Sequence, residues 1–287
     1  MRVESWFSDY RIPVGRTMKD LMDALQQQAF VFDSIKVAID FLVEGLTRLL
    51  LMVPPVATVG AVALLAYWLH RSLKLSAFVV LAFFLIIDMG YWQATVQTIA
   101  LIFWSATISV AIGVPIGIAA AHRPRLYVLL RPVLDMMQTL PTFVYLIPTV
   151  VLFGLGAAPG LISTVIFAVP APIRLAYLGI SSVPLALKET GQAFGATRFQ
   201  LLRKIEIPHA MPTIMAGVTQ CIMLCLSMVV VAALVGATGL GTPVVRALGS
   251  MNVPMGFESG ISIVLLAIVL DRICHPPART GSPRKRG

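Results

Sequence analysis

Residues 94–121 read ATVQTIALIFWSATISVAIGVPIGIAAA, without one Asp, Glu, Lys or Arg. A bilayer is spanned by a helix of about 20 apolar residues, and this run exceeds that length. A helix apolar on every side has no face to offer water and belongs inside a membrane or a large core. Further apolar runs cover roughly 50–70, 74–91, 132–155, 159–179, 209–236 and 257–275. The expectation is therefore an all-α, polytopic membrane protein with about seven transmembrane helices. Composition agrees, because only 12% of the 287 residues are charged and 58% are hydrophobic, with a mean hydropathy of +0.88. Soluble domains carry about 25% charged residues. A soluble enzyme, a disordered chain and a fibrous protein are excluded.

The net charge of +9 does not point to nucleic acid, because the basic residues sit in short loops between apolar runs. Arg71 and Lys74, then Arg123, Arg125 and Arg131, then Arg174, Lys188, Arg198, Arg203 and Lys204 fall in alternate loops. Arg272, Arg279, Arg284, Lys285 and Arg286 follow the last run, whereas the remaining loops hold only Arg246. The positive-inside rule places the basic loops and the tail 276–287 in the cytoplasm and the N-terminus outside. Residues 1–49 form an extracytoplasmic segment, nearly neutral, with six basic and seven acidic side chains. Within it Leu21, Leu25, Phe32, Ile35, Ile39, Leu42 and Leu46 recur at helical spacing. That pattern fits an amphipathic helix lying on the outer membrane surface, or one folded against the bundle.

Catalytic patterns are missing. None of the six lysines follows a glycine, so no Walker A loop is present. His70, His122, His209 and His275 are isolated, and Cys221, Cys225 and Cys274 lie in apolar runs with no metal-ligand spacing, so the cysteines read as packing residues. Gly236-Ala-Thr-Gly239-Leu-Gly241 resembles a dinucleotide loop only faintly, since no strand precedes it. The sequence gives no catalytic residue, no metal and no cofactor to this chain.

The dense signal is the loop 182–208, SVPLALKETGQAFGATRFQLLRKIEIP. Ser182 and Pro184 suit a helix start, and Gly195 can adopt the left-handed conformation that ends it. Thr197 with Gln200 predicts a capping box opening a second helix, which Pro208 is expected to stop by about Ile207. Phe194 and Phe199 flank the turn, either lying back on the lipid interface or entering a groove on a partner.

This loop resembles the EAA motif of ABC-importer permeases, E-A-A-x3-G-x9-I-x-L-P. Glu189, Gly195, Ile205 and Pro208 match in spacing, while Thr190 and Gly191 replace the two alanines and Ile207 the leucine. A glycine inside a helix costs about 1 kcal/mol relative to alanine, so Gly191 is expected to loosen the first arm. MQTLPTFVYLIP (137–148), AMPTIMAG (210–217), LSMVVV (226–231) and LAIVLDR (266–272) are similar to the permease subunit of glycine betaine/proline betaine importers. The resemblance covers roughly residues 40–273. It implies a binding-protein-dependent ABC permease fold over residues 50–275 and uptake of glycine betaine, proline betaine, choline or a related quaternary ammonium osmolyte. It also implies a permease homodimer, an extracytoplasmic substrate-binding protein, and a cytoplasmic ATP-binding subunit carrying the ATP and Mg. Glu189, Thr190, Gly191, Phe194, Gly195, Ala196, Ile205 and Pro208 would contact that ATPase. The outer loops 156–159 and 237–256 would meet the binding protein.

A quaternary ammonium keeps its charge at any pH and needs a wet or aromatic-lined path. Trp104, Phe143, Tyr145 and Asp88 are the residues proposed to line it, and Asp135 is expected to pair locally with Arg131. An ABC permease for another small solute, such as an amino acid, is the alternative. An ion-driven secondary transporter would show internal repeats and midplane charges, and neither is evident.

Overall fold

The protein is described by a computed structural model covering residues 14–26 and 29–274. Among these residues there is no strand. The chain runs through α1 (Val14–Gln26), α2 (Ala29–Met52), α3 (Pro55–His70), α4 (Leu73–Asp88) and α5 (Trp92–His122). It continues through α6 (Pro124–Thr139), α7 (Thr142–Phe153), α8 (Ala157–Ala168), α9 (Pro170–Ser181), α10 (Leu185–Ala193) and α11 (Arg198–Leu201). A π-helical turn, Leu202–Glu206, leads into α12 (Ile207–Ser227), followed by α13 (Val229–Ala233), α14 (Gly241–Ser250) and α15 (Val253–Cys274).

The core forms where α5, α9 and α12 cross. Lipid is as apolar as leucine, so membrane helices associate through close packing at small residues rather than through the hydrophobic effect. Gly113 and Gly117 supply that surface on α5: a Cβ at Gly117 would stand 2.4 Å from the Ile173 carbonyl oxygen and 2.7 Å from Ala176 Cβ. The α3–α4 hairpin and α15 pack on the other side of α5, burying Val59, Ala66, Val79, Ile86, Ile102, Cys221, Cys225 and Leu266 in one cluster.

Among the described residues, four continuous helical stretches are long and apolar enough to cross a membrane: Trp92–His122, Ala157–Ser181, Arg198–Ser227 and Val253–Cys274. The number rises to six if each of two bent pairs is one span, against the seven straight runs expected. The run 132–155 is not one rod, because α6 and α7 meet at 94°. Pro141 lacks an N–H and disfavours helix at the residue before it, and Leu140 is extended at φ −64°, ψ 136°. The run 50–70 is broken likewise, α2 and α3 meeting at 101° across Val53-Pro54-Pro55. The boundary at residue 49/50 therefore falls inside α2. At 16 residues each, α3 and α4 are about 24 Å long, short of a hydrocarbon core of about 30 Å.

Helix α2 packs one face against the bundle. Ile39 and Val43 are buried with Phe153, Ala158 and Leu161, Phe32 meets Phe153 edge-to-face at 5.4 Å, and Trp104 Nε1–H donates to the Leu42 carbonyl at 2.9 Å. The side chain of Leu21 and the basic tail 276–287 lie outside the described residues.

Candidate functional site

The loop 182–208 folds into a helix bracket. Pro184 caps α10 at its N-terminus, where a missing N–H does no harm. At the other end Gly195 is left-handed at φ +73°. There the Gly195 N–H donates to Gln192 O (2.8 Å) and the Ala196 N–H to Gly191 O (3.0 Å), the bond pair of a Schellman terminus. Thr197 opens the second arm with the expected capping box: Gln200 N–H donates to Thr197 Oγ1 (3.3 Å) and Thr197 N–H to Gln200 Oε1 (2.9 Å).

Pro208 does not end that arm. In α-helical register its ring would collide with the carbonyl four residues back, and its missing N–H would leave that carbonyl unbonded. The extra residue in the π turn 202–206 absorbs both conflicts, with the Ile207 N–H reaching back to Leu202 O. The second arm is thus the end of the membrane helix itself, continuous from Arg198 to Ser227.

Outward, the bracket exposes Glu189, Thr190, Gly195 and Pro208, with Phe194 88% and Phe199 67% exposed. Ala196 and Ile205 are half-buried. Inward, the missing side chain of Gly191 lets the arms close, since a Cβ there would stand 2.6 Å from Ile205 Cδ1 and 2.8 Å from Leu201 Cδ1. The expected weakness of α10 is offset by this tight contact.

Beneath the bracket lies Glu206, which sequence reasoning missed. Only 2% exposed, it holds Lys188 Nζ at 3.3 Å and His122 Nε2 at 2.8 Å. Its partners are 18 and 84 positions away, taking the residue numbers from the chain, so no local spacing marks the trio. The one cue is an acid between two isoleucines immediately before Pro208. Arg123 and Arg198 line the same hollow, so basic loops separated in sequence gather at one end of α5. At the other end Thr98 Oγ1 accepts from the Leu240 N–H at 2.8 Å, which accounts for the glycine-rich loop 236–241 as packing.

The four residues proposed for the path are not brought together. Trp104 faces α2, Tyr145 is buried with its hydroxyl donating to the Met137 carbonyl across the α6–α7 bend, Phe143 is 57% exposed, and Asp88 is exposed at the end of α4. The polar tips of Trp104 and Tyr145 are taken up by main-chain carbonyls. Asp135 pairs with Arg174 at 2.7 Å rather than with Arg131, because the α6–α9 contact presents a better-placed cation than the adjacent turn.

The family model of the binding-protein-dependent transport system inner membrane component matches residues 113–273. The chain belongs to this family. The matched stretch holds the bracket, the π turn and the Glu206 cluster, so all three lie within the permease module. The glycine betaine transport system permease protein OpuAB of Bacillus subtilis is 44% identical over 264 residues, covering 92% of this chain and 93% of the relative. The glycine betaine/proline betaine permease protein ProW of Escherichia coli is 41% identical over 254 residues, covering 88% and 72%. A solved inward-facing MetNI methionine ABC transporter aligns with TM-score 0.55 at 24% identity, over 60% of this chain and 87% of that one, a likeness of fold. The protein is a multi-pass transport permease subunit of all-α fold.

Proposed function

We propose that this chain forms the membrane path of an importer for glycine betaine, proline betaine, choline or a related quaternary ammonium osmolyte. A separate cytoplasmic ATPase with bound ATP and Mg drives it. The reading rests on the bracket: a Schellman turn at Gly195, exposed Phe194 and Phe199, and a second arm continuous with membrane helix α12. A partner gripping α10 would therefore pull directly on a transmembrane helix. Two such permease chains and an extracytoplasmic binding protein complete the assembly, with the loops at 156–159 and 237–256 as the outer docking surface and the N-terminus outside. The names of OpuAB and ProW support the substrate class.

The path itself is read as low in affinity, with selectivity set by the binding protein. An amino acid or other small solute is the competing cargo. Co-expression with the ATPase and binding protein in a host without betaine uptake tests the reading. Labelled glycine betaine should accumulate and be chased by unlabelled proline betaine. Accumulation of an amino acid, with betaine at background, would overturn the substrate assignment.

A further inference from the structure

We propose that Glu206 is a positioning residue that ties the docking helix α10 to the transmembrane bundle, so that movement of α10 reaches α5 and α12 together. The proposal rests on the importer reading above. Three elements converge on this one buried carboxylate. Its backbone lies in the π turn that runs on into α12. Its Oε1 holds Lys188 of α10 at 3.3 Å, and its Oε2 holds His122, in the last turn of α5, at 2.8 Å.

The histidine is itself braced. His122 Nδ1 lies 2.9 Å from the Ile118 carbonyl oxygen, so both ring nitrogens face acceptors. With Lys188 opposite the other carboxylate oxygen, each oxygen of Glu206 has a nitrogen partner from a different helix. Such charge-assisted bonds are short, directional and stronger than neutral ones. The apolar contact of Gly191 with Leu201 and Ile205 joins α10 only to its own second arm, whereas the Glu206–His122 bond carries the connection on to α5. Apolar surfaces can slide past one another, but a buried carboxylate that loses a partner is left with an unpaired charge, which resists separation.

The test uses the full permease with its ATPase and binding protein in proteoliposomes, measuring labelled glycine betaine accumulated per ATP hydrolysed, and ATPase pull-down separately. Glu206→Gln keeps the shape and removes the charge. Lys188→Met removes the other end from a partly exposed position, so it avoids disturbing the core, and Lys188→Arg restores a cation. Expected are wild-type pull-down for all three, a drop in osmolyte per ATP of about tenfold for Glu206→Gln and Lys188→Met, as suits the loss of coupling between sites, and recovery in Lys188→Arg. An unchanged ratio in Lys188→Met would overturn the proposal. So would loss of ATPase pull-down in both charge-removing variants, since Glu206 would then only shape the docking surface. A wild-type complex that accumulates no osmolyte would sink the importer reading itself, and the clamp with it.

Discussion

At the scale of single residues, two glycines in the bracket do different work. Gly195 is needed for its backbone: at φ +73° a side chain there has open space around it but pays a left-handed penalty of about 1–2 kcal/mol. That strain is too small to unfold a bundle held by α5, α9 and α12. Gly195→Arg is therefore expected at normal membrane levels, with weakened ATPase pull-down and betaine uptake near background. Wild-type uptake and pull-down together would show that the turn is not the coupling element. Gly191 is needed for its lack of bulk. An alanine there meets only the tips of Ile205 and Leu201, which can rotate, and gains about 1 kcal/mol of helix propensity. Gly191→Ala is expected to transport normally, whereas the branched Gly191→Val should pry the arms apart and lower uptake severalfold. Equal uptake by the two variants would mean that the arms need not touch. The glycine turn and the capping box were legible in the sequence because every participant lies within six residues. The Glu206 cluster was not, because His122 comes from another helix.

Among the elements, proline was the residue hardest to read. Its missing N–H predicts a helix end, and at Leu140-Pro141 the chain does turn, by 94°. At Pro208 the same chemistry is absorbed by one wide turn and the helix runs on. Hydropathy could not separate these outcomes, since both prolines lie in or beside apolar runs; the deciding factor is whether the preceding residues can form the π turn. The same limitation hid the 101° break after Met52, which ends α2 inside a run expected as one span. The orientation proposed from loop charge is testable element by element. Reporter fusions after Arg125 and Lys204 should read cytoplasmic, and those after Ala158 and Met251 external. An external reading at Lys204 would put the bracket out of reach of any cytoplasmic ATPase.

For the whole molecule, the fold class was written in composition and in the charge-free run 94–121, because a chain with this little charge has no soluble alternative. The helix–helix contacts were less legible, since the small residues that set them, such as Gly113 and Gly117, matter only through partners on α9. Arg123, Lys188 and Arg198 gather in one hollow at one end of α5, the end proposed to receive the ATPase. There the bracket, the buried Glu206 and the ends of two membrane helices meet. Energy entering at this end is proposed to move a quaternary ammonium across the bilayer. The most direct measurement is uptake into proteoliposomes containing the purified permease–ATPase complex, with ATP inside and binding protein and labelled glycine betaine outside. Accumulation above the external concentration is expected, and it should require ATP, the ATPase and the binding protein alike. Accumulation driven by an ion gradient without ATP, or none with all three present, would contradict it.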